Sequence, residues 1–411
     1  MYLFSSLTGE DKKKNTLYAQ VLNHETLLPE AASVKVGEMD AGQKKDGGSY
    51  LFRLSPDSTK LLVYALGTGQ KRQPERVSFR VLDPQLNVLW AKDASLPYDD
   101  ELFVPDTVVV DNQGRVLVSG IEFKDKPKFI VKDKPNYRYH VLCYNPGAEN
   151  PYDYVVERAD QFVAGLKIAP AGNGKLVCSG FYSDTSPADL KGIFYQILTT
   201  DGKAASKMHS QALDPAFIAE TIRRKKVREE DEIYSCRLDH LLVPESGGAI
   251  LVGEVRTDVG AWYSSTTGAT LSPGGHLYAN MVAIRLNADG TIAWCRSIPK
   301  YQESTLIPNY HSYFLASGDK HLYFLFADNR QNTNPEPGQL PAILGGISVR
   351  VVVRLVTLDE QGNANRTVLV GDDDNRPFTF VGLSVQPSRG EVIMKGKLFG
   401  AHRYSRFTMR E

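Results

Sequence analysis

One short pattern recurs along the 411 residues of this chain and limits what it can fold into. The pattern is a tight polar turn followed by a run of apolar, mostly β-branched residues. Gly, Asn and Asp in the turns tolerate the positive φ that a tight hairpin needs. The apolar run is typical of a strand buried on both faces. Copies of the pattern start at Asp57, Asp111, Gly172, Ser246, Ser317 and Ser388.

A second pattern follows each of the first five copies. It consists of a strand with alternating apolar and polar residues, a polar turn and a further strand, as in residues 193–203, 282–294 and 353–363. The alternation indicates strands with one face in water. Each repeat of about 55 to 75 residues therefore contains four strands, which we name a, b, c and d in chain order.

Four-stranded antiparallel units in series predict an all-β chain of the β-propeller class, because radial packing buries both faces of each sheet. About two dozen strands are too many for a β-sandwich, and the near absence of helical periodicity excludes a parallel α/β fold. We expect a single propeller domain over residues 1–411 with about seven units. The units span residues 1–40, 49–98, 102–160, 161–213, 235–300, 309–371 and 377–411.

The two end units are incomplete. Residues 1–9 align with strand b of the second unit, so the first unit lacks strand a. The last unit has strands a, b and c but no strand d. Either two blades are thin, or sequence outside this chain supplies the missing strands. We expect the latter, with a truncated N-terminus, because a start inside a buried strand exposes a sheet edge.

One segment departs from the β pattern. Asp214 and Pro215 form a good N-cap and N1 pair, and apolar residues at helical spacing follow. This predicts a short helix near residues 215–230. Residues 223–232 then run from basic to acidic, so their charges cancel and indicate a solvated surface helix rather than a nucleic-acid site.

Charge and composition exclude several classes of function. Lys and Arg total 48, as do Asp and Glu, so no net field recruits nucleic acid or an anionic membrane. No apolar run approaches the ~20 residues that span a bilayer. The given chain shows no signal peptide. The four cysteines form no CxxC pair, so we expect no zinc site. Cys143 and Cys178 lie in strand-like runs and are expected to be buried free thiols.

No motif identifies a catalytic residue. The sequence contains no GxSxG, HExxH or P-loop pattern. The acidic clusters at residues 99–101 and 372–375 do not fit a calcium loop and indicate solvated turns. We therefore predict no cofactor, no metal site and no assignable catalytic group. His240, on an expected innermost strand, is interpreted as a core or channel histidine.

Three long connections lie between strands b and c, at residues 123–137, 256–279 and 329–346. Their shared topological position predicts one common face, and loops on a rigid scaffold are where binding usually occurs. The candidate binding residues are Trp262 and Tyr263, as exposed aromatics for stacking, with Tyr310 and His311 near the channel mouth. The structural alternative for Trp262 is packing beneath its own loop.

Resemblances to two groups of β-propeller proteins lead to further expectations about cofactor and location. Residues 83–90 and 289–294 resemble repeats of pyrroloquinoline-quinone propellers, but only Trp90 and Trp294 fit, which implies the scaffold without the cofactor. Residues 294–304, 312–313 and 323–329 resemble uncharacterised secreted β-propeller proteins of Bacteroidetes-type bacteria. This resemblance covers most of the chain and implies a bacterial extracytoplasmic protein, but it carries no activity to any residue.

Three functions are compatible with the sequence. We favour a non-enzymatic, monomeric scaffold that binds a protein or glycan partner through the loops of one face. The alternatives are a hydrolase or lyase acting on polysaccharide at the channel mouth, and a structural subunit of a cell-envelope assembly. Acidic side chains or a His/Arg cluster converging within ~5 to 10 Å would favour the enzyme. A neutral, apolar lining would favour binding.

Overall fold

The computed structural model describes most of the chain. The residues outside the description are 9–13, 24, 41–49, 67–75, 100, 159, 204–205, 260–261, 264–269, 273–274, 305–310, 334–340, 346–350, 371–377, 389, 399–400 and 410–411. The chain divides into two compact units. The first comprises Met1–Pro187 with Phe194–His209, and the second comprises Ala188–Ile193 with Ser210–Glu411.

The first unit contains antiparallel sheets built from consecutive strands. These strands are β1 (Tyr2–Thr8), β2 (Lys14–Val21), β3 (Val34–Asp40), β4 (Tyr50–Leu54), β5 (Leu61–Leu66), β6 (Arg76–Leu82), β7 (Val88–Ser95), β8 (Phe103–Val110), β9 (Val116–Phe123), β10 (Ile130–Val131), β11 (Lys134–Pro135), β12 (Tyr137–Tyr144) and β13 (Tyr152–Val156). The sheet orders are β1-β2-β3, β4-β5-β6-β7 and β8-β9-β12-β13, with β10-β11 as a separate hairpin.

The fourth sheet follows where the chain passes from the first unit to the second. Its strands are β14 (Phe162–Pro170), β15 (Lys175–Ser183), β16 (Gly192–Thr199) and β17 (His209–Ala212), in that order. The helix α1 (Pro215–Ile222) comes next.

The second unit contains three further sheets. Its strands are β18 (Cys236–Leu242), β19 (Ala249–Val259), β20 (Trp262–Tyr263), β21 (Thr270–Ser272), β22 (Gly275–Leu286), β23 (Ile292–Ile298), β24 (Gln302–Ser304), β25 (Phe314–Ser317), β26 (Leu322–Asn329), β27 (Val351–Leu358), β28 (Ala364–Val370), β29 (Phe378–Ser388), β30 (Glu391–Leu398) and β31 (Ala401–Thr408). The orders are β18-β19-β22-β23 with β24 on β22, β25-β26-β27-β28 and β29-β30-β31. The pair β20-β21 is separate.

The predicted fold class is confirmed. The complete sheets consist of strands a, b, c and d paired in chain order, while the first described sheet lacks strand a and the last lacks strand d. A chain of such four-stranded antiparallel sheets belongs to the β-propeller class. That the whole chain forms a single domain stays a prediction.

The helix is present but shorter than expected. Asp214 caps it by accepting a hydrogen bond from Ala216 N at 2.7 Å, as the sequence predicts. Arg223 then adopts a left-handed conformation with φ 58°, and its N–H bonds the carbonyls of Ala219 and Glu220. This closes the helix at Ile222, because a left-handed residue cannot continue a right-handed helix.

The core lies between neighbouring sheets, and strand b is its centre. In β9, Val116, Leu117 and Val118 are fully buried, with Val116 and Val118 packing on the preceding sheet and Leu117 on the following one. Strand b of this sheet is therefore covered on both faces, which explains why the sequence shows it as an unbroken apolar run. The b strand of the first sheet, β1, differs, since Leu3 and Leu7 are 50% and 60% exposed.

In several sheets, polar side chains of the outer strand d form hydrogen bonds to the following sheet. In the first unit, Lys92 Nζ donates to the carbonyls of Ala148 and Glu149 at 2.8 and 2.5 Å. Tyr154 Oη donates to Lys203 O at 2.5 Å. In both cases a donor on strand d satisfies carbonyls in the c–d turn of the following sheet.

Hydrogen bonds between neighbouring sheets also explain Trp90 and Trp294, the two tryptophans that fit the pyrroloquinoline-quinone repeat pattern. Trp294 Nε1 donates to Glu360 O at 2.9 Å, and its ring covers Gly362. Trp90 Nε1 donates to Gly114 O at 2.7 Å. Each indole thus satisfies a turn of the following sheet, which gives these tryptophans a structural role.

Gly362 provides a test of this fastening. It has φ +77°, and a Cβ there would lie 2.8 Å from the Trp294 ring, whereas Gly247, with φ +85°, has only one atom within 4 Å, at 3.6 Å. Gly247→Ala should cost the backbone strain, about 1 kcal/mol. Gly362→Ala should cost more, roughly 2 to 4 kcal/mol, because overpacking is added. Denaturant unfolding measures both; equal losses would contradict the fastening role of Trp294.

Candidate functional site

An acidic residue stands at the root of each of the three long b–c connections. Glu122 precedes the first, Glu254 lies two residues before Arg256 at the start of the second, and Asp328 precedes the third. Each carboxylate is paired with a cation: Glu122 with Arg138 at 2.5 Å, Glu254 with Lys300 at 2.6 Å, and Asp328 with Arg354 at 2.6 Å. The end of strand b, where the chain leaves the sheet, is therefore held by charge pairing.

The Glu254 root, in the second unit, is the most buried of the three. The side chains of Glu254 and Lys300 are both fully inaccessible to solvent. Arg256 Nε also bonds Glu254 Oε2, and its Nη2 lies 3.3 Å from Asp239 Oδ2. Two carboxylates and two cations thus converge inside one sheet, on strands β18 and β19 and just after β23.

Neutral groups complete this cluster. Ser312 Oγ donates to Glu254 Oε2 at 2.8 Å, and Tyr313 Oη donates to Asp239 Oδ2 at 3.1 Å. Lys300 Nζ donates to Gln302 Oε1 at 3.0 Å, and the amide nitrogen of Gln302 donates to Ala327 O at 2.7 Å. The hydrogen bonds run from this sheet into the first strands of the next, so the cluster also ties the two sheets together.

Mutual neutralisation sets the ionisation of the cluster. Burial alone would raise the pKa of Glu254, but the charges of Lys300 and Arg256 outweigh it and lower that pKa. Burial lowers the pKa of Lys300, and Glu254 offsets part of this effect. Burial, followed by the negative charges of Asp239 and Glu254, raises the pKa of Tyr313 well above its ordinary value. Glu254 is therefore an anion at neutral pH and not a proton donor.

The second connection is a β arm rather than the loop suggested by its Ser/Thr/Gly-rich sequence. Strands β19 and β22 stay paired beyond the bulge at Glu254, through Arg256↔Tyr278 to Val259↔Gly275. The hairpin β20-β21 follows, with Trp262 opposite Ser272. The buried cluster lies where this arm leaves the sheet.

An aromatic stack covers the root of the arm. The rings of Tyr278 and His311 are stacked with centroids 5.8 Å apart and planes inclined by 18°. The Arg256 guanidinium and the Lys300 ammonium lie 5.4 and 5.6 Å from the Tyr278 centroid, within cation–π range. His276, further along β22, is exposed and pairs with Asp258 at 2.7 Å.

The third connection joins the arm on its other side. Strand β24 pairs with β22 at His276, Leu277 and Tyr278. Leu344 then forms a parallel bridge with Gln302 of β24, and Leu344 N donates to Tyr301 O at 2.9 Å. The arm, β24 and residues 341–345 therefore form one continuous surface in the second unit.

The structure places the predicted binding residues as follows. His311 is in the aromatic stack. Trp262 and Tyr263 lie in β20 near the arm tip, and the description covers their backbone alone. Tyr310 lies outside the described residues. His240 is partly buried with its ring 5.8 Å from that of Tyr313, at the edge of the cluster. A role in binding for Trp262, Tyr263, Tyr310 and His311 stays a prediction.

Sequence reasoning missed the cluster itself. Glu254 and Lys300 stand 46 residues apart, in positions indistinguishable from solvated charges. The available signal was positional: Glu122, Glu254 and Asp328 each end a run of buried strand-b residues where a long connection begins.

Among the residues that the structure describes, no group of three or more His, Cys, Asp or Glu side chains could hold a metal ion. No helix there is long and apolar enough to cross a membrane.

No protein-family model matches the sequence, and the search of curated proteins finds no match. Several solved structures are similar in fold. The polysaccharide lyase Uly1 shares 10% identity at a TM-score of 0.46, over 100% of this chain and 88% of that chain. An acylaminoacyl peptidase of Pyrococcus horikoshii shares 11% identity at 0.45, over 99% of this chain and 49% of the peptidase. The WD40 domain of SCAP from fission yeast shares 8% identity at 0.40, over 98% and 81%.

These neighbours are β-propeller-type folds, and at such low identities the similarity concerns fold alone. A fold of this class is compatible with both binding and catalysis.

The buried pair yields a prediction about stability. Lys300→Met removes the ammonium that pairs with Glu254 Oε1, while Arg256 still bonds Oε2. It should destabilise the protein by about 3 kcal/mol, the lower end of the range for breaking a buried ion pair, because the remaining compensation is partial. The double variant Glu254→Gln, Lys300→Met should recover part of this loss, because no unpaired charge remains. Thermal and denaturant unfolding report both effects. A double variant no more stable than Lys300→Met would show that the lysine acts through packing and not through charge.

The lowered pKa of Glu254 predicts a pH dependence. Because its folded pKa lies below the unfolded value of about 4.3, the stability that its ionisation contributes is fully present above that pH. That contribution is lost as the pH falls through the folded pKa. The destabilisation caused by Glu254→Gln should therefore shrink between pH 7 and pH 3, as measured by denaturant unfolding. A penalty that is independent of pH would contradict the assignment.

Proposed function

We propose that this protein is a non-enzymatic scaffold that binds a protein partner through the surface formed by the arm, β24 and residues 341–345. The observation that carries the proposal is the open edge of the arm. Strand β18 pairs with β19 only as far as Val255, while β19 continues to Val259. Beyond Val255, no described strand covers this side of β19.

The backbone direction at this edge follows from one hydrogen bond. Arg256 N donates to Ser235 O at 2.8 Å, so this N–H points away from β22. Backbone groups alternate sides along a strand, so the N–H and C=O of Asp258 point the same way. Asp258 is exposed, with 90% of its side chain accessible. These groups are available to an added strand, a mode of peptide recognition that favours a protein over a glycan.

The root of the arm supports the same proposal. An arm that leaves a sheet needs a fixed direction if it is to present a defined edge, since ordering on binding costs affinity. The Glu254–Lys300 pair and its hydrogen bonds supply that rigidity. The stack of Tyr278 and His311 adds aromatic area beside the edge, of the kind enriched in interfaces. A glycan that stacks on these two rings is the second candidate ligand for this surface.

Substitutions at Asp258 test the proposal. Arm-tip deletion variants and crosslinking on envelope extract would first identify a partner that needs the arm. Asp258→Pro removes the outward N–H at a position where an edge strand tolerates proline. It should weaken binding by roughly 10-fold, as expected for one lost hydrogen bond of about 1.4 kcal/mol. The matched control Asp258→Ala keeps the N–H and should bind within about twofold of the wild type.

The two variants separate the mechanisms. Equal weakening in Asp258→Pro and Asp258→Ala would assign recognition to the carboxylate and overturn strand addition. Unchanged binding in Asp258→Pro would remove the edge from the interface. Circular dichroism and melting temperature confirm that both variants fold. A control deletion of the β10-β11 hairpin in the first unit should leave binding intact.

A polysaccharide-acting hydrolase or lyase is the second candidate, and one observation favours it: Asp239 and Glu254 converge on Arg256. The lowered pKa of Glu254, caused by the charges of Lys300 and Arg256, weighs against this candidate, because a general acid needs a raised carboxyl pKa. Turnover of a panel of acidic and neutral polysaccharides that disappears in Glu254→Gln, but not in Glu122→Gln, would establish the enzyme and refute the scaffold.

We also propose a cellular location for the protein. The resemblance to uncharacterised secreted propellers of Bacteroidetes-type bacteria supports a bacterial protein located in the periplasm, on the surface or outside the cell. We propose a monomer that meets its partner there. A structural subunit of a cell-envelope assembly is the remaining variant, in which the partner bound by the arm is a permanent neighbour.

A further inference from the structure

The root of the third connection contains an arginine with an unused donor. Arg354 on β27 is 5% exposed, and its Nε donates to Asp328 Oδ2 at 2.6 Å. The other oxygen of Asp328 accepts from Asn332 Nδ2 at 2.6 Å. Arg354 Nη2 is buried and has no hydrogen-bond partner among the described residues. An unsatisfied buried donor is costly, so such a group in a folded protein calls for a ligand.

A second arginine lies on the same face of this sheet. Arg354 is opposite Val368 of β28, and Val356 is opposite Arg366. Arg354 and Arg366 are therefore diagonal neighbours on one face, a separation that long side chains bridge. Arg366 is exposed to solvent, whereas Arg354 is buried. The pair thus reaches from the surface into the interior.

The charged groups around Arg366 act on it from a distance. The pKa of Arg366 is lowered, first by partial desolvation and then by the positive charge of Arg354. Asp328 acts on Arg366 in the opposite direction, and Glu220 of α1 does so least. Asp328 is already bound to Arg354 and Asn332. Within the described part of the chain, no hydrogen bond or ion pair engages the Arg366 guanidinium.

We propose that Arg354 and Arg366 form a binding site for a tetrahedral oxyanion, sulfate or phosphate, either free or carried on a larger ligand. A guanidinium presents its N–H groups as a planar fork that matches such anions. Asp328 holds Arg354 through Nε and leaves Nη2 for the anion, which Arg366 approaches from the solvent side. The site goes beyond the partner surface proposed above and is independent of it.

Anion titration of the intact protein tests the site. Isothermal titration with sodium sulfate, sodium phosphate and galactose 6-sulfate, each at constant ionic strength, should show saturable binding of at least one probe. That probe should also raise the melting temperature. Arg366→Gln should weaken binding at least 10-fold, because one of the two cations is lost. Arg366→Lys should bind the probe more tightly than Arg366→Gln but more weakly than the wild type, since lysine keeps the positive charge but lacks the planar guanidinium.

An arginine in the first unit provides the matched control. Arg53→Gln removes an arginine of the first unit that donates to its neighbour Phe52 O, and it should bind the probe like the wild type. Binding of the sugar sulfate alone would identify the anion as part of a larger ligand, while equal binding of the inorganic ions would identify a free-ion site. Absence of saturable binding, or equal affinity in wild type and Arg366→Gln, overturns the proposal.

Discussion

Burial of strand b on both faces is the constraint on which the structure depends. An apolar run such as Val116–Val118 can be covered on both sides only if its sheet has a neighbour on each face. The sheets are accordingly repeated along the chain, and neighbouring sheets within each unit pack against one another. The outer strands, which face water, then add polar fastening through residues such as Lys92, Tyr154 and Trp294. Apolar packing supplies the free energy of this arrangement, and the hydrogen bonds fix its geometry.

The same constraint explains where the charged residues are. Strand b ends where its chain emerges into a connection. At the three long connections, Glu122, Glu254 and Asp328 are each paired with a cation at that point. In the Glu254 root, pairing is so complete that a fully buried lysine and glutamate coexist with two further charged side chains. Buried ion pairs contribute little net stability compared with apolar replacements, but they are specific in geometry. Their value here lies in fixing the direction of the connections that carry the proposed binding surface.

Much of the fold was predictable from the sequence because its signals are local. Turn residues such as Gly114 and Gly172 depend only on neighbouring positions. The expectation of one wet face for residues 282–286 was wrong, because Val282, Ala283 and Ile284 are all fully buried. The end of the helix was not predictable, since it depends on the left-handed conformation of Arg223. The arm was also missed, because residues 256–279 are rich in Ser, Thr and Gly and become strands only through pairing across the hairpin.

The candidate site was harder to predict than the fold. Glu254, Lys300 and Ser312 are brought together by pairing between distant strands, and their sequence context gives no hint of burial. His311 was selected because it precedes strand a of its unit, where a channel mouth was expected. The structure stacks its ring on Tyr278 at the root of the arm, a contact that the sequence did not predict.

The construction of the arm has a mechanical consequence. Because β19 and β22 each run as one strand from the sheet through the bulge at Glu254 into the arm, a pull on the arm tip loads both strands along their length. The hydrogen bonds of β18-β19 and β22-β23 then carry this load in shear, many at once, rather than one after another. A partner held at the tip is thus connected to the centre of a sheet, and the arm can transmit tension without first unzipping.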